Sequence, residues 1–240
     1  MIEINGITKV YSKKVKAVDK LSLSIPDGKI VGFIGPNGAG KTTTLKMMCG
    51  ILKPDEGHVL LNGYDITKQP IEAKKQFGFV ADNADIFLRL KGIEYLNLMA
   101  DIYEVDTEVR SQRIQEYAQQ FEMTSALNDK ILSYSHGMRQ KIVIMGAILH
   151  QPSIWVLDEP LTGLDPQSSF ELKQMMRKHA SDSKTVFFST HVLEVAEKLC
   201  DYVVIINFGQ VLYEGTLDDL RAKYQQKSLE EIFLEVTKRA

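Results

Sequence analysis

The feature that most restricts this chain is a glycine-rich break between an apolar run and a helix-forming one, Lys29-Ile-Val-Gly-Phe-Ile-Gly-Pro-Asn-Gly-Ala-Gly-Lys-Thr-Thr-Thr44. Its second half reads Gly-x-x-x-x-Gly-Lys-Thr, in the order strand, loop, helix. Gly35, Pro36, Asn37, Gly38, Ala39 and Gly40 form a loop whose glycines allow backbone conformations that a Cβ forbids, so N–H groups turn inward around phosphate oxygens. The helix opening near Lys41 adds the positive end of its dipole to the same point. Lys41 then reaches the outer phosphates as a point charge, Thr42 offers its hydroxyl to Mg²⁺, and Thr43 donates to a phosphate nearer the ribose. A glycine-rich turn with a surface lysine is the competing reading, but four matched positions arise by chance about once in a hundred chains of this length.

The remainder must supply a core for that loop. At 240 residues and 44% hydrophobic, the chain has enough apolar material, and a formal charge of −2 leaves no basic field for nucleic acid or anionic lipid. Nucleic acid is therefore not an expected partner. Cys49 and Cys200 are too few for a disulfide framework and read as buried thiols in a reducing compartment. The N-terminus lacks the basic and apolar regions of a signal peptide, and the charge-free run from Ile142 to Leu157 is too short to span a membrane. A membrane role would have to come from a partner.

Residues 2–34 alternate as strands, with Pro26-Asp27-Gly28 as a turn, and Tyr11 lies between two of them. Its ring is placed either to fold over the loop and stack on an adenine or to remain an ordinary exposed tyrosine. The loop helix should run from Thr43 to about Ile51, and short strands follow at His58-Val-Leu-Leu-Asn-Gly63 and Gln76-Phe-Gly-Phe-Val-Ala81, the latter ending at Asp82. From about Ile86 to Leu149 the apolar spacing becomes helical, including Ile102 and Val109, which predicts an inserted helical subdomain. Within it, Ser135 is an N-cap and Gly137 leaves the first helical turn open, a second anion-binding helix start.

Ser153-Ile-Trp-Val-Leu-Asp-Glu-Pro160 is an apolar strand ending in two carboxylates, Asp158 as candidate metal orienter and Glu159 as candidate general base. Leu161-Thr-Gly-Leu-Asp-Pro166 starts another helix. Lys184-Thr-Val-Phe-Phe-Ser-Thr-His191 delivers His191 at the end of a core strand, where open α/β sheets bind their ligands. Residues 201–207 and 210–213 form a closing hairpin, and Ser228 to Lys238 an amphipathic helix.

Taken together in this order, these motifs resemble the ATP-binding subunit of ABC transporters over nearly the whole chain. Gly35 to Thr42 is similar to Walker A, Tyr11 to the adenine-stacking aromatic, Ser135-His-Gly-Met-Arg-Gln140 to the signature, Ile154 to Asp158 to Walker B, Leu164-Asp165 to the D-loop and His191 to the switch histidine. Two positions depart: Asp82 stands where the family has the Q-loop glutamine, and His136 replaces the first glycine of the common Leu-Ser-Gly-Gly-Gln signature. This variant resembles the branch serving drug, antibiotic, peptide and lipid exporters.

The resemblance implies an α/β phosphate-loop core (1–82 and 151–215) with an antiparallel edge sheet, a helical subdomain (about 83–150) and a C-terminal helical tail (216–240). It implies ATP and Mg²⁺ as ligands, with Thr42, Asp82 and Asp158 near the metal and Lys41, Glu159 and His191 catalytic. It also implies a separately encoded transmembrane permease as partner and a two-fold homodimer or paired ATP-binding subunit, since Ser135 and Gly137 would close on the partner's nucleotide. The chain would sit on the cytoplasmic face of the membrane. A nucleotide-gated binding module without transport and a non-hydrolysing regulator are the alternatives; Lys41, Asp158, Glu159 and His191 weigh against the second.

Overall fold

The computed structural model describes residues 1–11, 15–224 and 227–238. Strands β1 (Ile2–Tyr11) and β2 (Val15–Ile25) pair antiparallel, Ile2 opposite Ile25 and Tyr11 opposite Val15. After β3 (Ile30–Ile34) and helix α1 (Lys41–Met48), β4 (Glu56–Leu61) returns to pair with β1 and carries the short β5 (Tyr64–Asp65). Among the described residues these make a four-stranded sheet in the order β2-β1-β4-β5.

The second sheet is built around β3. Helix α2 (Pro70–Lys75) leads to β6 (Phe77–Val80); the chain then forms α3 (Gly92–Ile102), α4 (Thr107–Gln120) and α5 (His136–Ile148) before β7 (Ile154–Asp158). Helix α6 (Pro166–Ser181), β8 (Thr185–Thr190), α7 (Leu193–Leu199), the hairpin of β9 (Tyr202–Asn207) and β10 (Gln210–Thr216), then α8 (Leu217–Lys223) and α9 (Leu229–Lys238) complete it. The six-stranded order is β10-β9-β3-β8-β7-β6, parallel except for the β9–β10 edge. β3, β7 and β8 are buried throughout, the pattern of parallel strands covered on both faces.

Alternate residues of those strands feed different cores. Val31, Phe33, Val156, Phe187 and Val204 pack with α1 and the antiparallel sheet, whereas Ile30, Ile34, Trp155, Leu157, Val186, Phe188 and Ile205 pack with the helical segments. The phosphate-loop helix is thus clamped between two sheets, and the helical subdomain lies against the opposite face.

Three sequence expectations need correction. The helical segment begins at Gly92, not Ile86: the backbone at Leu88 and Leu90 bonds across to Leu132 and Ile131 instead of along a helix, and Phe87 takes a positive φ of 51°. Helix α1 stops at Met48, short of Ile51, because Gly50 turns to φ 67° and ends the helical path. Ile102 and Val109, expected on apolar stripes, are exposed. Helices α2 and α7 were not anticipated, while α8 falls within the stretch 216–240 expected as a helical tail; α2 carries readable marks, Pro70 at its start, Glu72 in its first turn and Lys74 and Lys75 in its last.

The joint between helical subdomain and core depends on Gly78, where an added Cβ would overlap the Ala147 carbonyl oxygen of α5. Backbone cannot yield as a side chain does, so Gly78→Ala should lower the free energy of unfolding by about 2–3 kcal/mol, at the upper end of overpacking costs. Chemical denaturation of the purified variant checks this, and an unchanged midpoint would contradict the packing described.

Candidate nucleotide site

β3, β8 and β7 are neighbours, and each ends at the same edge of the sheet. The first runs into the glycine loop, the second into His191 and the third into Asp158-Glu159, so three separate stretches of sequence meet where a doubly wound sheet binds its ligand. Gly40 is the N-cap of α1 at φ 103°, and a Cβ there would also overlap the Ala17 carbonyl oxygen of β2. Glycine is thus required twice over. It also brings no capping side chain, which leaves the first-turn N–H donors of α1 to an anion.

Lys41 is buried and donates to the carbonyls of Gly35 at 2.7 Å and Pro36 at 3.3 Å, with its Nζ 3.7 Å from Glu159 Oε1. His191 Nδ1 lies 3.0 Å from the other oxygen, Glu159 Oε2; since a carboxylate accepts, Nδ1 carries the proton. Glu159 itself takes a positive φ of 48°, uncommon outside glycine and a sign of stored strain at working sites. Its N–H donates to Ser189 Oγ at 3.0 Å, and the Ser189 hydroxyl donates in turn to Asp158 Oδ1 at 2.6 Å. Ser189 was not singled out in the sequence. Its signal was there, a polar residue near the end of an apolar strand, and register sets it opposite Asp158.

Burial pushes the Asp158 carboxyl above the ordinary carboxylate range; the Ser189 and Thr42 hydroxyls oppose that shift, while the charges of Asp82 and Glu159 add to it. Asp82, exposed just beyond β6, is therefore close enough to be felt at Asp158. Thr42 is exposed at the start of α1, with Thr43 half-buried beside it. Tyr11 closes β1, 44% exposed, at the end of the hairpin whose Ala17 touches Gly40.

Ser135 caps α5, accepting from the Met138 N–H at 3.3 Å as expected. It and Gly137 border the loop after Glu159: an added Cβ on Gly137 would come 3.0 Å from the Gly163 carbonyl oxygen. Cys49 and Cys200 are both buried thiols, and burial raises both above the usual thiol range. Among the described residues no helix is long and apolar enough to cross a membrane.

A glycine loop capping a helix between two sheets, with Lys41 drawn to a carboxylate at the end of β7, defines a phosphate-loop nucleoside triphosphatase. The family profile described as ABC transporter matches residues 18–162, more than half of the chain. The chain is 36% identical to the ABC transporter ATP-binding protein NatA of Bacillus subtilis over 92% of its length and 91% of that protein. It is 34% identical to the daunorubicin/doxorubicin resistance ATP-binding protein DrrA of Streptomyces peucetius over 92% of its length and 67% of that protein. Among solved structures, an ATP-binding subunit of an ABC transporter superposes with a TM-score of 0.93 at 30% identity, covering 98% of this chain and 99% of that one. The ATP-binding cassette MJ0796, dimeric in a post-hydrolysis state with ADP and phosphate, gives 0.81 at 26% identity, covering 90% of this chain and 99% of that one. The chain belongs to the ABC transporter family. It is an ATP-binding and ATP-hydrolysing subunit that powers transport by a membrane partner.

The raised Asp158 carboxyl has a consequence for stability. Because the folded state binds this proton more tightly than the unfolded state, the favourable contribution is present at low pH and is lost as pH rises through the folded value. At neutral pH the ionised carboxylate therefore weakens the ligand-free fold. Asp158→Asn should raise the melting temperature of the nucleotide-free chain at pH 7 by about 2–4 °C for each kcal/mol relieved, with the gain shrinking as pH falls toward about 4. Differential scanning calorimetry across pH checks both the sign and the trend.

Proposed function

We propose that the chain binds ATP with Mg²⁺ on the Gly35–Thr43 loop, hydrolyses it with Glu159 as general base, and drives export through a separately encoded membrane permease. The observation that carries this reading is the bracketing of Glu159, with Lys41 at 3.7 Å on one oxygen and His191 at 3.0 Å on the other. With ATP on the loop, Lys41 exchanges the Gly35 and Pro36 carbonyls for phosphate oxygens, and Glu159 is free to take a proton from water. His191, held through Nδ1, lies beside the reacting phosphoryl group and would donate from Nε2 to the charge developing there as the doubly protonated imidazolium. The donors from Gly38 to Thr43 bind the remaining phosphate oxygens, and Tyr11 stacks on the adenine from the hairpin end beside Gly40.

The residues suit magnesium. The Thr42 hydroxyl and the Asp158 carboxyl lie within hydrogen-bond reach of each other, and with Asp82 they would offer the hard oxygen ligands that this ion takes alongside phosphate and water oxygens. When bound, Mg²⁺ neutralises charge on the outer phosphates.

Ser135 and Gly137 face the nucleotide of a second copy or a paired subunit in a head-to-tail dimer, a reading supported by the dimeric relative. The membrane partner would hold the chain at the cytoplasmic face. Export is favoured by the likeness to a drug-resistance protein.

Glu159→Gln keeps the shape but removes the proton acceptor, so ATP turnover should fall by about 10²–10⁴-fold while an ATP-bound dimer accumulates. Turnover at the parent rate would defeat the assignment. For Asp82→Asn, the Mg²⁺ concentration giving half-maximal turnover should rise; an overlaid titration would remove Asp82 from the metal.

A further inference from the structure

His136 is used by nothing above, yet it occupies a defined place. Its ring lies on Gly163, so closely that a Cβ at Gly163 would overlap Cδ2 and come within 2.7 Å of Nε2. Gly163 also holds φ at 79°, so both backbone and ring demand glycine there. The common signature has glycine where His136 stands, and glycine has no atoms to reach this loop.

We propose that His136 is a positioning residue that clamps the loop from Glu159 to Asp165 onto the signature helix α5, coupling nucleotide engagement at Ser135 and Gly137 to turnover at this chain's own Glu159. The inference rests on the reading of Glu159 as base and of Ser135 and Gly137 as contacts to the partner's nucleotide. The loop is short and fixed at both ends. At its start the Thr162 N–H donates to the Glu159 carbonyl at 3.1 Å, closing a tight turn. At its far end Asp165 caps α6, accepting from the Ser168 N–H at 2.8 Å and hydroxyl at 2.6 Å, and lies 3.2 Å from Lys141 of α5.

Those bonds hold the Asp165 carboxyl well below the usual carboxylate range. Between the two anchors, the His136 ring and the Gly137–Gly163 approach bring the first turn of α5 directly against the loop backbone. A shift of the first turn of α5 is therefore transmitted through the ring to Gly163 and, through the Thr162 turn, to Glu159, whose positive φ leaves its backbone little freedom to absorb it.

The test is an ATP titration of steady-state hydrolysis by the purified chain and its His136→Gly and His136→Phe variants, with Glu159→Gln in parallel. The parent should show a Hill coefficient above one. His136→Gly should lower kcat about fivefold or more and bring the Hill coefficient to one, with KM and the melting temperature of the ligand-free chain little changed. His136→Phe, which keeps a planar ring over Gly163, should restore both. A parent without cooperativity, a glycine variant with parental kcat and Hill coefficient, or a phenylalanine variant as impaired as glycine would each overturn the proposal. So would a loss of kcat that follows a lowered melting temperature while cooperativity persists. If Glu159→Gln hydrolyses ATP normally, the underlying reading fails; if it is inactive while His136→Gly is unaffected, only the coupling fails.

Discussion

The register between β7 and β8 governs the site. Because Asp158 stands opposite Ser189, one hydroxyl both donates to the Asp158 carboxylate and accepts from the Glu159 N–H. Glu159, bonded in this way, takes its positive φ, and its carboxylate spans the gap between Lys41 from the loop after β3 and His191 from the end of β8. A slip of one residue in either strand would turn Asp158 or Ser189 toward the other face of the sheet. Parallel pairing buried on both faces makes such a slip costly, since the alternate residues of each strand belong to two different apolar cores.

The same geometry concentrates like charge. Asp158, Glu159 and Asp82 lie near one another, and the Lys41 ammonium stands 3.7 Å from one Glu159 oxygen while the His191 ring stands 3.0 Å from the other. Lys41 is shared among two loop carbonyls and one carboxylate. On the proposed reading the site would be stabilised by what it binds, since phosphate oxygens would take Lys41 and a divalent cation would offset the carboxylates.

The second anion-binding element is displaced from the first by design of the chain path. The helical segment enters after β6 and returns at β7, so the start of α5 is carried to the loop that follows Glu159 instead of to the glycine loop. On the proposed reading such a chain would bring half of two sites, pairing with a second copy or a similar subunit would complete both, and the contacts of α5 with Gly163 and Asp165 would lie on the path between them.

Much of this was legible in the sequence because it depends on local chemistry. The glycine loop, the apolar strand ending in Asp158-Glu159, the Ser135 cap and the β9–β10 hairpin are each specified by neighbours along the chain, and each appears where expected. Segments whose backbone bonds are made far away were not. Residues 86–91 looked helical by spacing, yet they bond to residues 131 and 132, partners that periodicity cannot report. Ser189 looked like an ordinary strand residue until register placed it against Asp158. His136 showed itself only as a departure from a familiar pattern; its contact with Gly163 depends on how α5 packs. The sequence by itself determined the phosphate loop, the identity of the chemical groups and the family, because glycine dihedrals and residue order are written locally. Tertiary structure alone decided which groups meet, because the distances among Lys41, Glu159, His191 and Asp158 are set by strand order and register across residues far apart in the chain.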